Sequence, residues 1–377
     1  MVATLALPKL VANHTMEIKT SELSSSEKAA RERGLRVVAI GGGTGLSTLL
    51  KGLKRFVLYP GESRNLPADL LPIRDLSAVV TVSDDGGSSG RLRKELNMLP
   101  PGDIRNCIVA LSEDEALLSK LFRHRFDKGS GLEGHSFGNL FLAALTSLTS
   151  DFSEAVRLSS EILLTRGHIY PATTSNIELE ALMEEGTRVR GETKITASTG
   201  RIIELFLIPS DPDPMPQTLH AIASADLITI GPGSLFTSLI PNLLVRGIVQ
   251  AIVDSPATKV YVCNLMTQAN ESLGLSAADH LQALNRHAQR QLFDYALINR
   301  TPVSDELKAK YALEGACQIV ADLHAIEALG VIPVLGDHLE EHAGVARHNT
   351  TKVAHDLLQL VAQAPRTDRD SISHSGS

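Results

Sequence analysis

The sequence predicts an α/β protein with a mainly parallel sheet that is covered by helices. Short apolar runs rich in β-branched residues, such as 37–40, alternate along the chain with helical patterns. Strands that alternate with helices are typical of βαβ units and parallel sheets. Glycine-rich segments also follow several predicted strands, as in folds that bind ligands at the carboxyl edge of a sheet.

The most informative glycine-rich segment is GGGTG at 41–45, directly after the apolar run 37–40. Glycines at such a junction let the backbone turn sharply and approach a ligand closely. A helix predicted over 45–57 would then point its free amides at an anion, usually a phosphate. The segment therefore predicts that the chain handles a nucleotide or a phosphorylated metabolite.

Similar loops rich in Gly, Ser, Asp and Pro occur at 83–90, 100–106, 134–139 and 231–234. Each alone is more often an ordinary turn than a binding site. Because several follow predicted strands, they fit one crevice at the carboxyl edge of a parallel sheet. We predict that the turns at 41–45 and 231–234 converge there and surround a diphosphate with main-chain amides.

The remaining elements follow from periodicity and helix-start signals. Helices are predicted over 45–57, 91–99, 103–111, 113–126 and 136–148, with further starts at Asp151 and Ser276. Strands are predicted over 77–82, 226–230, 259–263, 295–299 and 317–321.

Residues 177–184 break the alternation of strands and helices. Apolar Ile177, Leu179, Ala181 and Met183 alternate with glutamates, the period of a strand with one wet face. A Glu-Gly turn follows, and 187–196 and 201–208 are predicted partner strands. The pattern predicts a small antiparallel β lobe inserted at about 171–210.

The organisation predicted is a single domain over 35–363 between two flexible ends. Residues 1–34 form a polar extension, and 364–377 form a tail rich in Ser and Asp. Such composition is typical of chain ends that pack against nothing.

Composition narrows the function classes. The net charge of −7 argues against broad binding to nucleic acid, which needs a basic surface. Cys107, Cys263 and Cys317 are far apart, so neither a zinc site nor a disulfide framework is indicated, and the first two suit a core. No apolar stretch reaches the roughly 20 residues of a membrane span. We expect a cytoplasmic protein.

Two common nucleotide motifs are missing. The fingerprint G-x-G-x-x-G fails from Gly41, where the last position is Leu46, and from Gly43, where it is Thr48. The P-loop pattern G-x-x-x-x-G-K-[ST] is absent. A standard dehydrogenase and an ordinary ATPase are therefore disfavoured, although a modified dinucleotide site stays open.

Asp84 and Asp85 follow the strand predicted over 77–82 and allow two interpretations. Paired carboxylates hold a hydrated Mg²⁺ beside substrate phosphates, or accept hydrogen bonds from ribose hydroxyls. Asp-Gly is equally a standard turn pair. The spacing alone leaves both interpretations open.

Other polar residues have both functional and structural interpretations. Arg91, Arg93 and Lys94 are candidate phosphate contacts, but they also fit the solvated face of an amphipathic helix. Arg105 lies close to a predicted helix start within a glycine-rich loop. His135 is more simply a structural hydrogen-bonding group than an acid or base.

Six segments together resemble the bacterial gluconeogenesis factor YvcK family, which is related to CofD, the 2-phospho-lactate transferase of cofactor F420 synthesis. They are GGGTG at 41–45, SDDGGSSGRLR at 83–93, PPGDIRNC at 100–107, GHSFGN at 134–139, GPGSLFTSLIPNLLV at 231–245 and CNLMTQ at 263–268. The resemblance covers roughly 35–360 and leaves out both chain ends.

The resemblance implies a Rossmann-like three-layer α/β/α fold. It also implies a pocket for the nucleotide-sugar UDP-N-acetylglucosamine, with NAD-like dinucleotides as another ligand class and no obligatory cofactor. Members of the YvcK branch are regulators that link gluconeogenic carbon metabolism to cell-wall synthesis and cell shape. The CofD branch joins phospholactate to a deazaflavin with a nucleotide-activated substrate and Mg²⁺.

Matched position by position, the resemblance implies a set of ligand contacts. They are Gly42, Gly43, Thr44, Gly45, Asp84, Asp85, Asn139, Gly233, Ser234 and Asn242. Thr44 is the expected diphosphate contact, and Asp84 or Asp85 is expected to contact the base, the ribose or a metal such as Mg²⁺.

Three classes of function remain after these arguments. The first is a regulator that binds a nucleotide-sugar and acts on a protein partner. The second is a phosphotransferase of the CofD type, and the third is a redox enzyme with NAD, which the failed fingerprint disfavours. The oligomeric state stays open, a homo-oligomer included.

Overall fold

The computed structural model describes residues 33–62, 66–67, 69–113 and 115–363. The strands are β1 Leu35–Gly41, β2 Ile73–Val80, β3 His168–Pro171, β4 Glu178–Met183, β5 Arg188–Arg190, β6 Ile202–Ile208, β7 Leu227–Ile230, β8 Thr258–Val262, β9 Tyr295–Asn299, β10 Ile332–Gly336, β11 Leu339–His342 and β12 Val345–His348.

The helices cover most of the remaining described chain. They are α1 Gly43–Leu53, α2 Gly87–Leu96, α3 Gly102–Leu111, α4 Glu115–Arg123, α5 Phe137–Thr149, α6 Phe152–Ile162, α7 Glu192–Ala197, α8 Pro216–Ser224, α9 Ile240–Leu243, α10 Ile248–Asp254, α11 Ala277–Ala288, α12 Asp305–Ala312, α13 Leu323–Ala328 and α14 Thr350–Gln363. A 3₁₀ turn Lys54–Phe56 follows α1, and a π-helical turn Leu235–Leu239 precedes α9.

The main sheet confirms the predicted fold class. In the part of the chain that the structure describes, seven strands pair in the order β10-β9-β8-β7-β1-β2-β3, and every neighbouring pair is parallel. Parallel strands need crossovers, which are nearly always right-handed. The β1–β2–β3 and β7–β10 series run in opposite directions across the sheet, so their connecting helices lie on opposite faces.

This strand order places a topological switch point between β1 and β7. Ile40 in β1 is in register with Val79 of β2 on one side and Ile230 of β7 on the other. The chain leaves β1 towards β2 and later leaves β7 towards β8. The loops that follow β1 and β7 therefore diverge, and a crevice opens between them at the carboxyl edge.

The inserted antiparallel lobe is also confirmed, with one correction. Strands β5, β4 and β6 form a small antiparallel sheet, and β4 alternates half-buried and buried residues as its sequence predicts. The predicted strand 187–196 is wrong beyond Arg190. Gly191 has φ +97°, and the Asp85 carboxylate accepts a hydrogen bond from the Thr193 amide at 2.9 Å. That contact satisfies a free amide in the first turn of α7 and favours a helix.

The strand predicted over 317–321 is wrong as well. Its residues make an isolated antiparallel bridge, Met266 to Gln318, with the segment that follows β8. The Thr267 amide donates to the Cys317 carbonyl at 2.8 Å. The apolar run is therefore paired outside the main sheet, where only a short contact is possible.

Helix starts and buried cysteines agree with the sequence. The Asp151 side chain accepts from the amides of Ser153 and Glu154 at the start of α6. Ser276 and Asp279 form a reciprocal capping box at the start of α11. The thiols of Cys107 and Cys263 are buried in the core.

Most of the two predicted chain ends, 1–32 and 364–377, lies outside the described residues. In the stretches that are described, no single helix is both long and apolar enough to cross a membrane. A sharply bent pair, Leu235–Leu243 with Ile248–Asp254, meets that test of length and composition only when the two are taken together.

The packing of α1 against the start of α14 gives a stability prediction. A Cβ atom added at Gly52 would lie 2.1 Å from the Thr350 carbonyl oxygen. Gly52→Ala should lower the free energy of unfolding by about 1–3 kcal/mol, although alanine is the better helix former. Thr48→Ala on the same helix should change it by less than about 0.5 kcal/mol. Urea unfolding measures both, and a Gly52→Ala protein as stable as the wild type would contradict the packing.

Candidate ligand-binding cleft

A cleft of about 260 Å³ opens at the switch point of the main sheet. Its wall comes from the turn after β1, the turn after β7, the segment after β8 and strand β12. The residues that line it are 42–45, 232–234, 264–268 and 345–348, together with Ser238 and Tyr311. The two glycine-rich turns therefore converge, as their positions after adjacent strands predict.

The turn after β1 offers amide donors to the cleft. Helix α1 begins at Gly43, and no side chain caps it at Gly42. The Gly43 amide is directed at the Asp103 carboxylate. Among the described residues, the amides of Thr44 and Gly45 donate to no other group. Free amides at a helix N-terminus are suited to an anion such as phosphate.

Gly45 is required because the two turns almost touch. A Cβ atom at this position would lie 2.2 Å from the Pro232 carbonyl oxygen and 2.9 Å from the Gly233 Cα atom. No side chain fits into that gap. The absence of a Cβ atom at Gly45 is what allows loops from two strands to form one cleft.

The turn after β7 is held by the segment after β8. The Asn264 amide side chain both accepts from the Gly233 amide at 2.9 Å and donates to the Gly233 carbonyl at 2.7 Å. The Gln268 side chain donates to the Ser234 hydroxyl at 2.9 Å. Because Gly233 is already bonded to Asn264, its amide is not available to a ligand as the sequence led us to expect.

A buried carboxylate supports the same turn from behind. Glu271 accepts hydrogen bonds from the amides of Phe236 and Thr237, at 2.7 and 2.9 Å. Burial raises the pKa of Glu271, and the two amide donors oppose that rise. Two amides at the start of the π-helical turn are therefore already bonded to the Glu271 carboxylate. The amides that remain open are those of the first glycine-rich turn.

The fourth wall is the hairpin of β11 and β12, which sequence analysis missed. Ala343 and Gly344 at its tip both have positive φ, the geometry of a type I′ turn. Arg347 brings a positive charge to the cleft wall. Burial lowers the pKa of His348 to about 4. Its ring stays neutral at pH 7, and Nε2 donates to the Cys263 carbonyl at 3.1 Å.

Four acidic side chains, which we call the acidic group, lie near the first glycine-rich turn and interact with one another: Asp84, Asp85, Asp103 and Glu192. Burial raises the pKa of Asp103 to about 6; the Gly43 amide opposes that rise and the charge of Asp84 adds to it. Burial likewise raises the pKa of Glu192 to about 8, with the charges of Asp84, Asp103 and Asp85 contributing. At neutral pH Glu192 is mainly protonated, which limits the negative charge close to the cleft.

The expected ligand contacts divide into two sets. Gly42, Gly43, Thr44, Gly45, Gly233 and Ser234 line the cleft; Asp84, Asp85, Asn139 and Asn242 do not. Asn242 is fully buried, and its side chain donates to the Gly41 carbonyl at 3.2 Å and the Ser238 carbonyl at 2.8 Å. It holds the first turn in place from behind.

Asp84 and Asp85 have separate structural partners. Asp84 accepts from the Gly86 amide at 2.9 Å, the contact of an Asx turn. Asp85 accepts from the amide and the hydroxyl of Thr193, at 2.9 and 2.5 Å, and so joins the loop after β2 to the inserted lobe. Both members of the acidic group therefore organise the backbone next to it.

Asn139 and His135 join α5 to α2. The Asn139 side chain donates to the Ser88 hydroxyl at 3.1 Å, and His135 Nδ1 lies 2.9 Å from the same hydroxyl. Both residues are buried. The structural interpretation of His135 is the one that these contacts support.

Sequence analysis missed Asn264, Gln268 and Arg347 as residues of the cleft. The first two belong to the segment CNLMTQ, whose position after a predicted strand was an available signal. Arg347 was hidden because its strand is short and its hairpin was not predicted. Its only local signal was the Ala-Gly pair between two four-residue strands.

A parallel sheet with a glycine-lined cleft at its switch point defines a Rossmann-like α/β fold. The chain belongs to the CofD family: the family model described as 2-phospho-L-lactate transferase CofD matches residues 37–339. This confirms the resemblance seen in the sequence.

Named relatives within this family are gluconeogenesis factors. The chain is 49% identical over 323 residues to a gluconeogenesis factor of Halalkalibacterium halodurans, which covers 86% of this chain and 95% of the relative. It is 46% identical over 329 residues to that of Bacillus subtilis, covering 87% and 98%. A crystal structure of a Bacillus halodurans protein matches with a TM-score of 0.80 and 49% identity, over 86% of this chain and 99% of that one.

The raised pKa of Glu192 gives a pH prediction. The folded state holds this proton more tightly than the unfolded chain, so the stabilisation is complete below about pH 4.5 and is lost as the pH rises through about 8. Between about pH 4.5 and about pH 8, the free energy of unfolding of the wild type should fall relative to that of Glu192→Gln, whose side chain is neutral at every pH. Denaturant unfolding against pH measures the difference.

A matched control is Glu184→Gln, on an exposed carboxyl of the same lobe. Its stability should keep a constant offset from the wild type across the window. Parallel curves for Glu192→Gln and the wild type would show that Glu192 is ionised in the folded protein, contrary to its surroundings.

Proposed function

We propose that this protein is a cytoplasmic factor that binds UDP-N-acetylglucosamine and links gluconeogenic carbon metabolism to cell-wall synthesis and cell shape. Relatives that cover most of the chain carry the name gluconeogenesis factor. The cleft provides the physical basis for a nucleotide-sugar ligand.

One observation carries the proposal: Thr44 and Gly45, whose amides have no acceptor among the described residues, line a cleft formed by two converging glycine-rich turns. A diphosphate requires closely spaced donors and close backbone approach, and this turn offers both. In the proposed complex, Thr44 contacts the diphosphate through its amide and hydroxyl. Arg347, on the opposite wall, provides a compensating positive charge.

The rest of the cleft suits a polar ligand larger than phosphate. Asn264, Thr267 and Gln268 bring amide and hydroxyl groups, and Tyr311 and Met266 bring apolar surface. This mixture of polar and apolar groups matches the mixed surface of a nucleotide-sugar. The hairpin β11–β12 contributes to the wall through β12.

A regulator must change shape or surface when its ligand binds, and only a difference in affinity between two states drives that change. The cleft is built from four separate segments, of which the hairpin is an added piece outside the main sheet. Leu339 and Ala346 of the hairpin pack against a small apolar cluster that contains Met266. In the proposed mechanism, ligand contact with β12 shifts this hairpin, and a protein partner recognises the result.

A phosphotransferase of the CofD type is the second candidate, favoured by the family match itself. Mg²⁺ is normally held by one or two carboxylates together with substrate phosphates. Across the described residues, no three His, Cys, Asp or Glu side chains converge on a metal. Asp84, beside Asp103, suits the carboxylate share of such a site better than Asp85, which is engaged by Thr193. The ion would neutralise phosphate charge.

The primary test is ligand binding by a Thr44→Val variant. Saturation at about 100 times the dissociation constant should stabilise the wild type by roughly 2.7 kcal/mol. Valine keeps the shape of threonine but removes the hydroxyl, and losing a hydrogen bond to a charged group costs about 1.5–3 kcal/mol. Thr44→Val should therefore weaken UDP-N-acetylglucosamine about tenfold or more, as calorimetry measures.

Thr44→Ser is the matched control, because it keeps the hydroxyl, and it should bind close to the wild type. Unchanged affinity in Thr44→Val would remove Thr44 from the site. Binding that is absent in the wild type would end the nucleotide-sugar proposal altogether.

A thermal-shift panel separates the two candidate functions. The regulator should be stabilised by UDP-N-acetylglucosamine without added metal, and NAD tests the dinucleotide alternative. Stabilisation by GTP with Mg²⁺, lost in Asp84→Asn and absent with the nucleotide-sugar, would favour the transferase.

A further inference from the structure

Arginines from separate parts of the chain surround the turn 133–136, which leads into α5. Arg91 comes from α2, Arg105 from α3, and Arg125 from the loop after α4. Among the described residues none of the three forms a salt bridge. Three guanidinium groups from separate elements therefore meet at one turn, on a protein with a net charge of −7.

Neutral groups hold these arginines in place. Arg91 donates to a main-chain carbonyl of the turn 133–136 at 2.6 Å, and Arg105 donates to the Ser136 hydroxyl at 2.7 Å. Arg125 donates to a second carbonyl of the same turn. The guanidinium groups are therefore oriented by neutral acceptors, without an ion pair to a carboxylate among the described residues. Preorganised donors without a countercharge are what an anion requires.

Arg105 is the most enclosed member of the cluster. Its stem packs over Gly138, where an added Cβ would lie 2.8 Å from Arg105 Cδ. Its Nε atom is buried and has no hydrogen-bond partner in the described chain. It is one of nine buried side-chain polar atoms without a partner among the described residues, and the one that belongs to a guanidinium group. This N–H is therefore a donor that an anion could use.

Charges of both signs surround Arg105. Burial and then the positive charges of Arg125 and Arg123 lower the pKa of Arg105, whereas Asp103 and Asp84 raise it. The carboxylates belong to the acidic group beside the first glycine-rich turn. Arg125 is close enough to Arg105 for the two charges to interact, as two members of one anion site must be.

We propose that Arg91, Arg105 and Arg125 form a second binding site, distinct from the cleft, for the dianion of a phosphate monoester. Guanidinium groups match phosphate oxygens through paired hydrogen bonds. Three positive charges favour a dianion over a single carboxylate. The site lies next to the cleft through α3, because Asp103 at the start of that helix accepts from Gly43. A nucleotide-sugar in the cleft and a phosphate here would occupy neighbouring positions on the same edge.

The test is calorimetric titration of the full-length protein at constant ionic strength. The probes are inorganic phosphate, a peptide with a single phosphoserine, and acetate. The test variant is R91A/R125A, which leaves the enclosed Arg105 untouched. The matched control is R157A/R246A, which removes two exposed arginines that are each paired with carboxylates.

We expect phosphate to bind the wild type and the control with equal affinity and to bind R91A/R125A at least tenfold more weakly. Arg105→Lys, which keeps the charge but loses the paired donors, should also weaken binding. Tighter binding of the phosphopeptide than of free phosphate would assign the phosphate to a protein partner. If the phosphopeptide binds as tightly as free phosphate or more weakly, the phosphate belongs to a small molecule. Either result supports the site.

Three results would overturn the proposal. Equal phosphate affinity in R91A/R125A and the control would show that these arginines bind no anion. Phosphate binding lost in Thr44→Val instead would place the anion in the cleft. Acetate that binds as tightly as phosphate would disprove selectivity for a dianion.

Loss of nucleotide-sugar binding in Thr44→Val with phosphate binding intact would separate this site from the proposed function.

Discussion

The close approach of two backbone turns at the switch point is the constraint on which the rest of the site depends. Ile40 and Ile230 are paired neighbours in the sheet, so the segments after them leave the same edge side by side. At that distance a single Cβ at Gly45 would collide with the Pro232 carbonyl. The pairing of β1 with β7 sets the distance between the two turns, and glycine at position 45 avoids a steric clash at that distance.

The polar groups around the cleft divide into those that hold the backbone and those that remain open. Asn242, Asn264 and Glu271 bond to main-chain groups in the two turns and in the π-helical turn that follows the second one. These contacts fix the loops. In the proposed complex, a ligand would meet the open amides of Thr44 and Gly45 and the charge of Arg347.

The carboxyl edge of the sheet carries opposite charges in adjacent places. The half-buried carboxyls of Asp103 and Glu192 lie near the first glycine-rich turn, and Asp103 also interacts with Arg105 of the arginine cluster. Helix α3 carries both Asp103 and Arg105 within one turn and so connects the two regions. A regulator that compares two ligands and a transferase that joins two substrates would both use neighbouring sites of this kind.

The sequence by itself determined the α/β class, the inserted lobe and the convergence of the turns at 41–45 and 231–234, because periodicity and glycine placement are local properties. Segment matching also identified the family. The tertiary structure alone decided that Asn242 and Asn139 are buried supports, that Asp85 caps α7 through Thr193, and that β12 brings Arg347 to the cleft. Whether a polar side chain meets a ligand or a backbone amide depends on neighbours far away in the chain, and no local pattern of residues encodes them.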